Sequence, residues 1–218
     1  MSYPWTRRQF MAGLAVAGAA GAIPGWAQTT HSGDEAVREL MAGNERYVAG
    51  KLTSFADDLQ IMKEKTVSKQ EPFAAVLSCA DSRVPVEIIF DQSIGHLFVG
   101  RVAGNIVTPE IMASMEYGVA VLGLKAILVM GHTNCGAISA AVQGKEVPGQ
   151  ISVLYQHLMP GIRDSHGDEG EAVKANVIFQ TRLLRESSTV IAKAVKESGL
   201  KVVGGVYDLG TGRVTLVA

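Results

Sequence analysis

Two cysteines, Cys79 and Cys135, each stand in a compact polar motif behind an apolar run. The first motif reads Cys79-Ala80-Asp81-Ser82-Arg83 and the second His132-Thr133-Asn134-Cys135-Gly136. Together they offer two thiolates, an imidazole and a carboxylate, a near-complete ligand set for one zinc ion. Taken singly, His132 reads as a core or loop histidine, Cys79 as a small buried hydrophobe, and Asp81 with Arg83 as a surface pair. The conjunction of the two motifs points to zinc. Cys79, His132 and Cys135 supply three ligands, and the fourth position decides the chemistry. Asp81 in that position closes the site and makes it structural; water there makes it hydrating or hydrolytic.

Arg83 bears on that choice. A planar guanidinium holds a carboxylate through two parallel hydrogen bonds. Gripped in this way, Asp81 stays off the metal yet still accepts a hydrogen bond from a water in the fourth position. Two thiolates make zinc a weaker Lewis acid than three imidazoles would. Its water should therefore ionise less readily than the value near pH 7 of a three-histidine site, and a rate that rises with pH above neutral is expected. Cys79 and Cys135 could instead pair as a disulfide, which would destroy this ligand set.

The elements that must position these residues alternate in type. Phe73 to Ser78 is a continuous apolar strand that delivers Cys79 at its carboxyl end, and Ala126 to Met130 delivers His132 in the same way. Leu97 to Arg101 is another core strand. Leu200 to Tyr207 and Arg213 to Val217 flank the turn Asp208-Leu209-Gly210-Thr211-Gly212, which predicts an antiparallel strand at the edge. Helices are expected over Asp34 to Gly50, in a short piece from Pro85 to Phe90, and over Glu110 to Leu122 behind Pro109. Others should run from Cys135 to Val142 and from Glu171 to Ser198, the last broken near Ser187-Ser188. Leu52 to Lys69 reads as a loop with a second short helix, and Gly144 to Gly170 as peripheral helix and loop. Strands alternating with helices imply an α/β fold with a central, mostly parallel sheet covered on both faces. Ligands of such sheets gather outside the carboxyl ends of the strands, where residues distant in sequence can share one metal.

The first 27 residues read as an export signal. Arg7-Arg8 precede an apolar, Gly- and Ala-rich run from Ala12 to Ile23, and Gly25-Trp26-Ala27 offers small residues for cleavage. Adjacent arginines favour the twin-arginine export machinery and a periplasmic or other extracytoplasmic destination; the alternative is an uncleaved anchor, for which the run is short. A single domain from residue 28 to 218 is expected. The whole chain carries 20 Lys+Arg against 21 Asp+Glu. Without Arg7 and Arg8 that becomes 18 against 21, a charge of −3. No basic stripe suggests a nucleic-acid partner, and no second apolar stretch suggests stable membrane insertion.

Cys-x-Asp-Ser-Arg followed by His-x-x-Cys resembles the signature of the beta-class carbonic anhydrases. The likeness extends from about Met41 to Val217, with Met41-Ala42-Gly43-Asn44-Glu45-Arg46 similar to the family's N-terminal helix and Arg101-Val102-Ala103-Gly104-Asn105 to a strand exit. The resemblance implies reversible hydration of carbon dioxide by zinc-bound hydroxide. One Zn2+ per chain would be held by Cys79, His132 and Cys135, with Asp81 and Arg83 as the gatekeeping dyad. It also implies a substrate pocket formed by Gln70, Phe98 and Tyr117, partly across a dimer interface. An N-terminal helical arm, from Asp34 to Gly50, and a homodimer or dimer-based higher oligomer follow from the same likeness. Members gated by bicarbonate carry a tryptophan where this chain has Val76; Trp5 and Trp26 both lie in the signal, which favours an open site. The alternatives are zinc-dependent hydrolysis of a related small electrophile, such as carbon disulfide or carbonyl sulfide, and a non-catalytic structural zinc protein. Intact Arg83 argues against the last.

Overall fold

The computed structural model describes residues 29–54, 64 and 66–218. The expected signal, and most of the second short helix expected between Leu52 and Lys69, lie outside the described residues.

Five strands form one sheet: β1 (Ala74–Ser78), β2 (Leu97–Arg101), β3 (Ala126–His132), β4 (Lys201–Tyr207) and β5 (Val214–Leu216). Their order is β2-β1-β3-β4-β5, parallel except for β5, which runs antiparallel to β4 at the edge. Every residue of β1 and β3 is buried. That is why these strands are continuously apolar instead of alternating: helices cover both of their faces. Ser78 pairs with Met130, so Cys79, the next residue, stands level with Gly131 and His132 lies one step further along.

The α-helices that lie wholly among the described residues are α1 (Gly33–Val48), α2 (Val86–Ile89), α3 (Pro109–Tyr117), α4 (Gly136–Val142), α5 (Ser152–Ile162), α6 (Glu169–Ser187) and α7 (Thr189–Glu197). α1 opens with a capping box in which Ser32 accepts from the Glu35 N–H while the Glu35 carboxylate accepts from the Ser32 N–H. The segment expected to serve as an N-terminal arm buries its apolar stripe on its own chain: Ala36 and Leu40 join Phe73, Val76, Leu128 and Phe90 in one cluster. Asn44, wholly buried, donates to the Ile89 and Gly212 carbonyls and accepts from the Val214 N–H at 2.8 Å. This ties α1 to β5.

The helix expected to run to Leu122 keeps its α form only to Tyr117 and finishes as a π turn over Gly118–Leu122, ending at Gly123 with φ 74°. The break near Ser187-Ser188 is present. Ser188 is extended, caps α7 by accepting from the Ile191 N–H, and donates to Glu116 at 2.6 Å. α6 packs directly on β3 and β4, because a Cβ at Gly131 would stand 2.6 Å from Val177 and one at Gly204 2.7 Å from Thr181. Those two glycines let the helix approach the strand that carries His132.

Below the sheet, Asp91 is a buried anchor. It accepts from Arg46 Nε and from the backbone and hydroxyls of Thr53 and Ser54. Burial opposes its charge, but the Arg46 contact and these donors outweigh it and hold the carboxyl well below its usual range. A depressed folded-state value stabilises the fold above the unfolded carboxyl pKa, near pH 4, and that contribution is lost as pH falls below it. Asp91→Asn should therefore lower the urea midpoint at pH 7 by the equivalent of about 2 kcal/mol. It should also flatten the loss of stability between about pH 5 and pH 2. Urea melts across that range check both effects.

Candidate metal centre

The strand ends bring the two motifs together. Cys79 leaves the end of β1, His132 closes β3, and Cys135 is the N-cap of α4. The turn between His132 and Cys135 folds back through Asn134 at φ 54°, a left-handed conformation that asparagine tolerates. The three side chains are buried, and their ligand atoms lie within 4.8 Å of one another. Both cysteines are free, which removes the disulfide reading.

The donor set fits zinc. His132 Nδ1 is 2.9 Å from the Thr133 carbonyl. That bond takes the ring N–H and leaves Nε2 with its lone pair, the tautomer a metal ligand requires. Nε2 is buried and has no hydrogen-bond partner, an arrangement that is costly for a polar atom unless a cation takes it. The two sulfurs shift each other's acidity in opposite directions. The bond from Cys135 pulls the Cys79 thiol far down, helped by His132 and the Gly104 N–H and opposed by burial. The same contact, with burial, pushes Cys135 up. A dication neutralises this repulsion and makes both sulfurs thiolates.

Asp81 and Arg83 form the expected dyad. Arg83 Nε donates to Asp81 Oδ1 at 2.9 Å and Nη2 to Oδ2 at 2.8 Å; the Arg83 backbone N–H adds a third bond to Oδ1 at 2.9 Å. The guanidinium also donates to the Asn134 carbonyl at 3.2 Å, so it spans both motifs. Asp81 Oδ2 stands 3.8 Å from His132 Nε2, beside the triad. The Arg83 side-chain bonds, aided by its backbone N–H and by nearby His132, hold the Asp81 carboxyl well below its ordinary range. Asp81 is therefore an anion that only accepts hydrogen bonds.

Four hydrogen bonds at the centre are not announced by the two motifs. Gly104 N–H donates to Cys79 Sγ at 3.3 Å. Arg101 donates to the carbonyls of Cys79 and Asp81. The Thr133 carbonyl fixes the His132 ring. The sequence run from Arg101 to Asn105 marked a strand exit, but not these bonds.

The residues expected to form a substrate pocket lie elsewhere in the chain's own fold. Gln70 is exposed and precedes β1, at the opposite end of that strand from Cys79. Phe98 pairs with Ala75, about 13 Å back along the sheet from Cys79 at the usual rise per residue. Its ring lies 6.3 Å from that of Tyr117, which is 42 % exposed. The fold thus brings Phe98 and Tyr117 to each other, on the open β2 edge. A cavity of about 330 Å³ opens on the other side of Cys135, walled by Ile138, Val173 and Val206.

Residues 74–214, which contain the triad and the dyad, match the family model for carbonic anhydrase. The chain belongs to the beta-class carbonic anhydrase family. It is 33 % identical over 187 residues to carbonic anhydrase 2 of Mycobacterium tuberculosis, covering 82 % of this chain and 90 % of that protein. It is 36 % identical over 189 residues to a carbonic anhydrase of Mycolicibacterium smegmatis, with the same coverage. Among solved structures, it resembles a tetrameric beta-carbonic anhydrase from Sordaria macrospora with a TM-score of 0.67 and 26 % identity. The match covers 84 % of this chain and 96 % of that one. A Coccomyxa beta-carbonic anhydrase in complex with acetazolamide gives a TM-score of 0.62 at 28 % identity, covering 73 % and 80 %. Beta-carbonic anhydrases are zinc enzymes, and the Cys79, His132 and Cys135 group fits a zinc ligand set.

The dyad makes Arg83→Ala informative. With both guanidinium bonds gone and only the backbone N–H at residue 83 left to hold it, Asp81 is free to turn onto the metal. X-ray absorption at the zinc edge should show a carboxylate oxygen entering the shell, and hydration activity should fall at least about 100-fold.

Proposed function

We propose that the protein catalyses the reversible hydration of carbon dioxide to bicarbonate and a proton. The observation that carries this reading is the two-pronged bond that holds Asp81 beside the Cys79–His132–Cys135 triad instead of on it. A structural zinc site is closed by four protein ligands and has no use for an arginine that draws the fourth away. Zinc, when bound, supplies a Lewis acid that lets water act as a nucleophile near neutral pH.

The chain's own groups do the rest. The Thr133 carbonyl keeps His132 in the ligating tautomer. Asp81, held ionised, accepts a hydrogen bond from the attacking water and turns a lone pair of that water toward the carbon of the substrate. Arg83 fixes the carboxylate and keeps it from taking the water's place. Arg101 anchors the backbone on both sides of Asp81, so the dyad is set before substrate arrives.

Gln70, Phe98 and Tyr117 complete the substrate pocket by reaching a neighbouring subunit's metal centre. The half-buried β2 edge, unpaired among the described residues, and the exposed Tyr117 support a homodimer or a dimer-based oligomer; the Sordaria relative is tetrameric. The paired arginines and apolar run at the start of the chain support twin-arginine export and a periplasmic enzyme whose single domain begins at residue 28. No helix among the described residues is long and apolar enough to cross a membrane.

Stopped-flow hydration by the zinc-loaded chain tests the reaction. Activity should rise between about pH 6 and pH 9, the direction set by two thiolate ligands. Asp81 does not cause that rise, since its lowered pKa leaves it charged at every pH above about 4. Asp81→Ala should lose about 100-fold. Acetazolamide should bind to the zinc-loaded protein. A zinc-loaded, folded protein that turns over carbon disulfide or carbonyl sulfide but not carbon dioxide would replace this reading.

A further inference from the structure

We infer that Asn176 and Gln180 of α6 are positioning residues for the Cys79 thiolate, acting through the turn 103–107. The inference rests on the zinc reading of the triad.

The Gly104 N–H that touches Cys79 Sγ is presented by a left-handed pair, Gly104 at φ 76° and Asn105 at φ 44°. Asparagine enters this region more easily than most residues, yet it remains a conformation that persists only when the surroundings over-determine it. Two buried carboxamides supply that restraint. Asn176 Nδ2 donates to the Gly104 carbonyl at 2.9 Å, and Gln180 Oε1 accepts from the Val107 N–H at 2.9 Å. Gln180 Nε2 then donates to Asn176 Oδ1 at 3.1 Å and to the His157 carbonyl at 3.0 Å.

Both residues are wholly buried, and every amide heteroatom of the pair is used. They lie one helical turn apart, on a buried face shared with Ala172, Val173, Val177, Thr181 and Leu184. Polar groups on such a face are unfavourable unless their bonds are complete. Here all the bonds outside the pair go to backbone, and two of them go to the turn that carries the sulfur's hydrogen-bond donor. The clamp therefore keeps the N–H on the thiolate. That bond withdraws electron density from the sulfur and pre-orients it, as outer-shell partners of metal ligands do.

Cobalt(II) in place of zinc in the full chain reads the sulfur directly, through its thiolate-to-metal charge-transfer band. Asn176→Leu and Gln180→Met remove the two bonds to the turn. Gln180→Glu, neutral when buried, keeps an acceptor for Val107 and a donor. Leu184→Ala loosens the same helix and the apolar cluster it shares with Val107, while keeping both carboxamide bonds to the turn. Asn176→Leu and Gln180→Met should move the band to lower energy and raise zinc loss to a chelator about tenfold. Gln180→Glu should restore the wild-type band, and Leu184→Ala should leave it in place. Gln180→Met is the milder change and decides the matter if Asn176→Leu does not fold. A band unmoved in folded Gln180→Met, or moved equally by Leu184→Ala, overturns the inference alone. A wild-type chain with no thiolate–cobalt band overturns the zinc reading and this inference together.

Discussion

Cys79 and His132 meet because β1 and β3 lie side by side in parallel, with Ser78 opposite Met130. Nothing local brings them together. A slip of one residue would send alternate side chains to the opposite face of the sheet and part the sulfur from the imidazole. The register is pinned by burial on both faces: any shift moves the helices' apolar contacts as well as the ladder. Gly131 and Gly204 reinforce it by letting α6 sit close over β3 and β4. The precision of the centre is thus inherited from packing across the whole middle of the sheet.

On that frame, the electrostatics of the site are a matter of crowded anions. Two sulfurs and one carboxylate converge within a few ångströms, and each has its own compensation. The sulfurs have the metal and the Gly104 N–H. The carboxylate has Arg83, which is half exposed and so can keep its charge hydrated on one side while gripping Asp81 with the other. Arg101 contributes by bonding to carbonyls instead of to the anions, so it steadies the chain without competing with Arg83.

The motifs made the Cys79–His132–Cys135 group and the Asp81–Arg83 pair legible in the sequence, because they consist of side-chain types at short spacing. The buried strands were legible for a similar reason: a run such as Ala126 to Met130 has only one comfortable environment. The break at Ser188 could be read from two serines in a long helical pattern. Less could be read where backbone groups do the work. The Thr133 carbonyl and the Gly104 N–H belong to every residue type alike, and the Asn176–Gln180 pair looks like ordinary polar helix until the fold buries it. The π turn after Tyr117 escaped for another reason: Gly118 to Leu122 is as apolar as the helix before it, and only Gly123 marks the end. For Gln70, Phe98 and Tyr117, the expectation came from family likeness, and a single chain places them away from its own triad.

Asn44 has a consequence for how this chain is made. Its side chain joins residues 89, 212 and 214 to α1, so α1 completes its bonds only when β5 has emerged from the ribosome. Until then α1 has a helix-forming sequence but an unfinished seat. The domain cannot close until β5 is made, and a chain cut short before Val214 loses the anchor of α1.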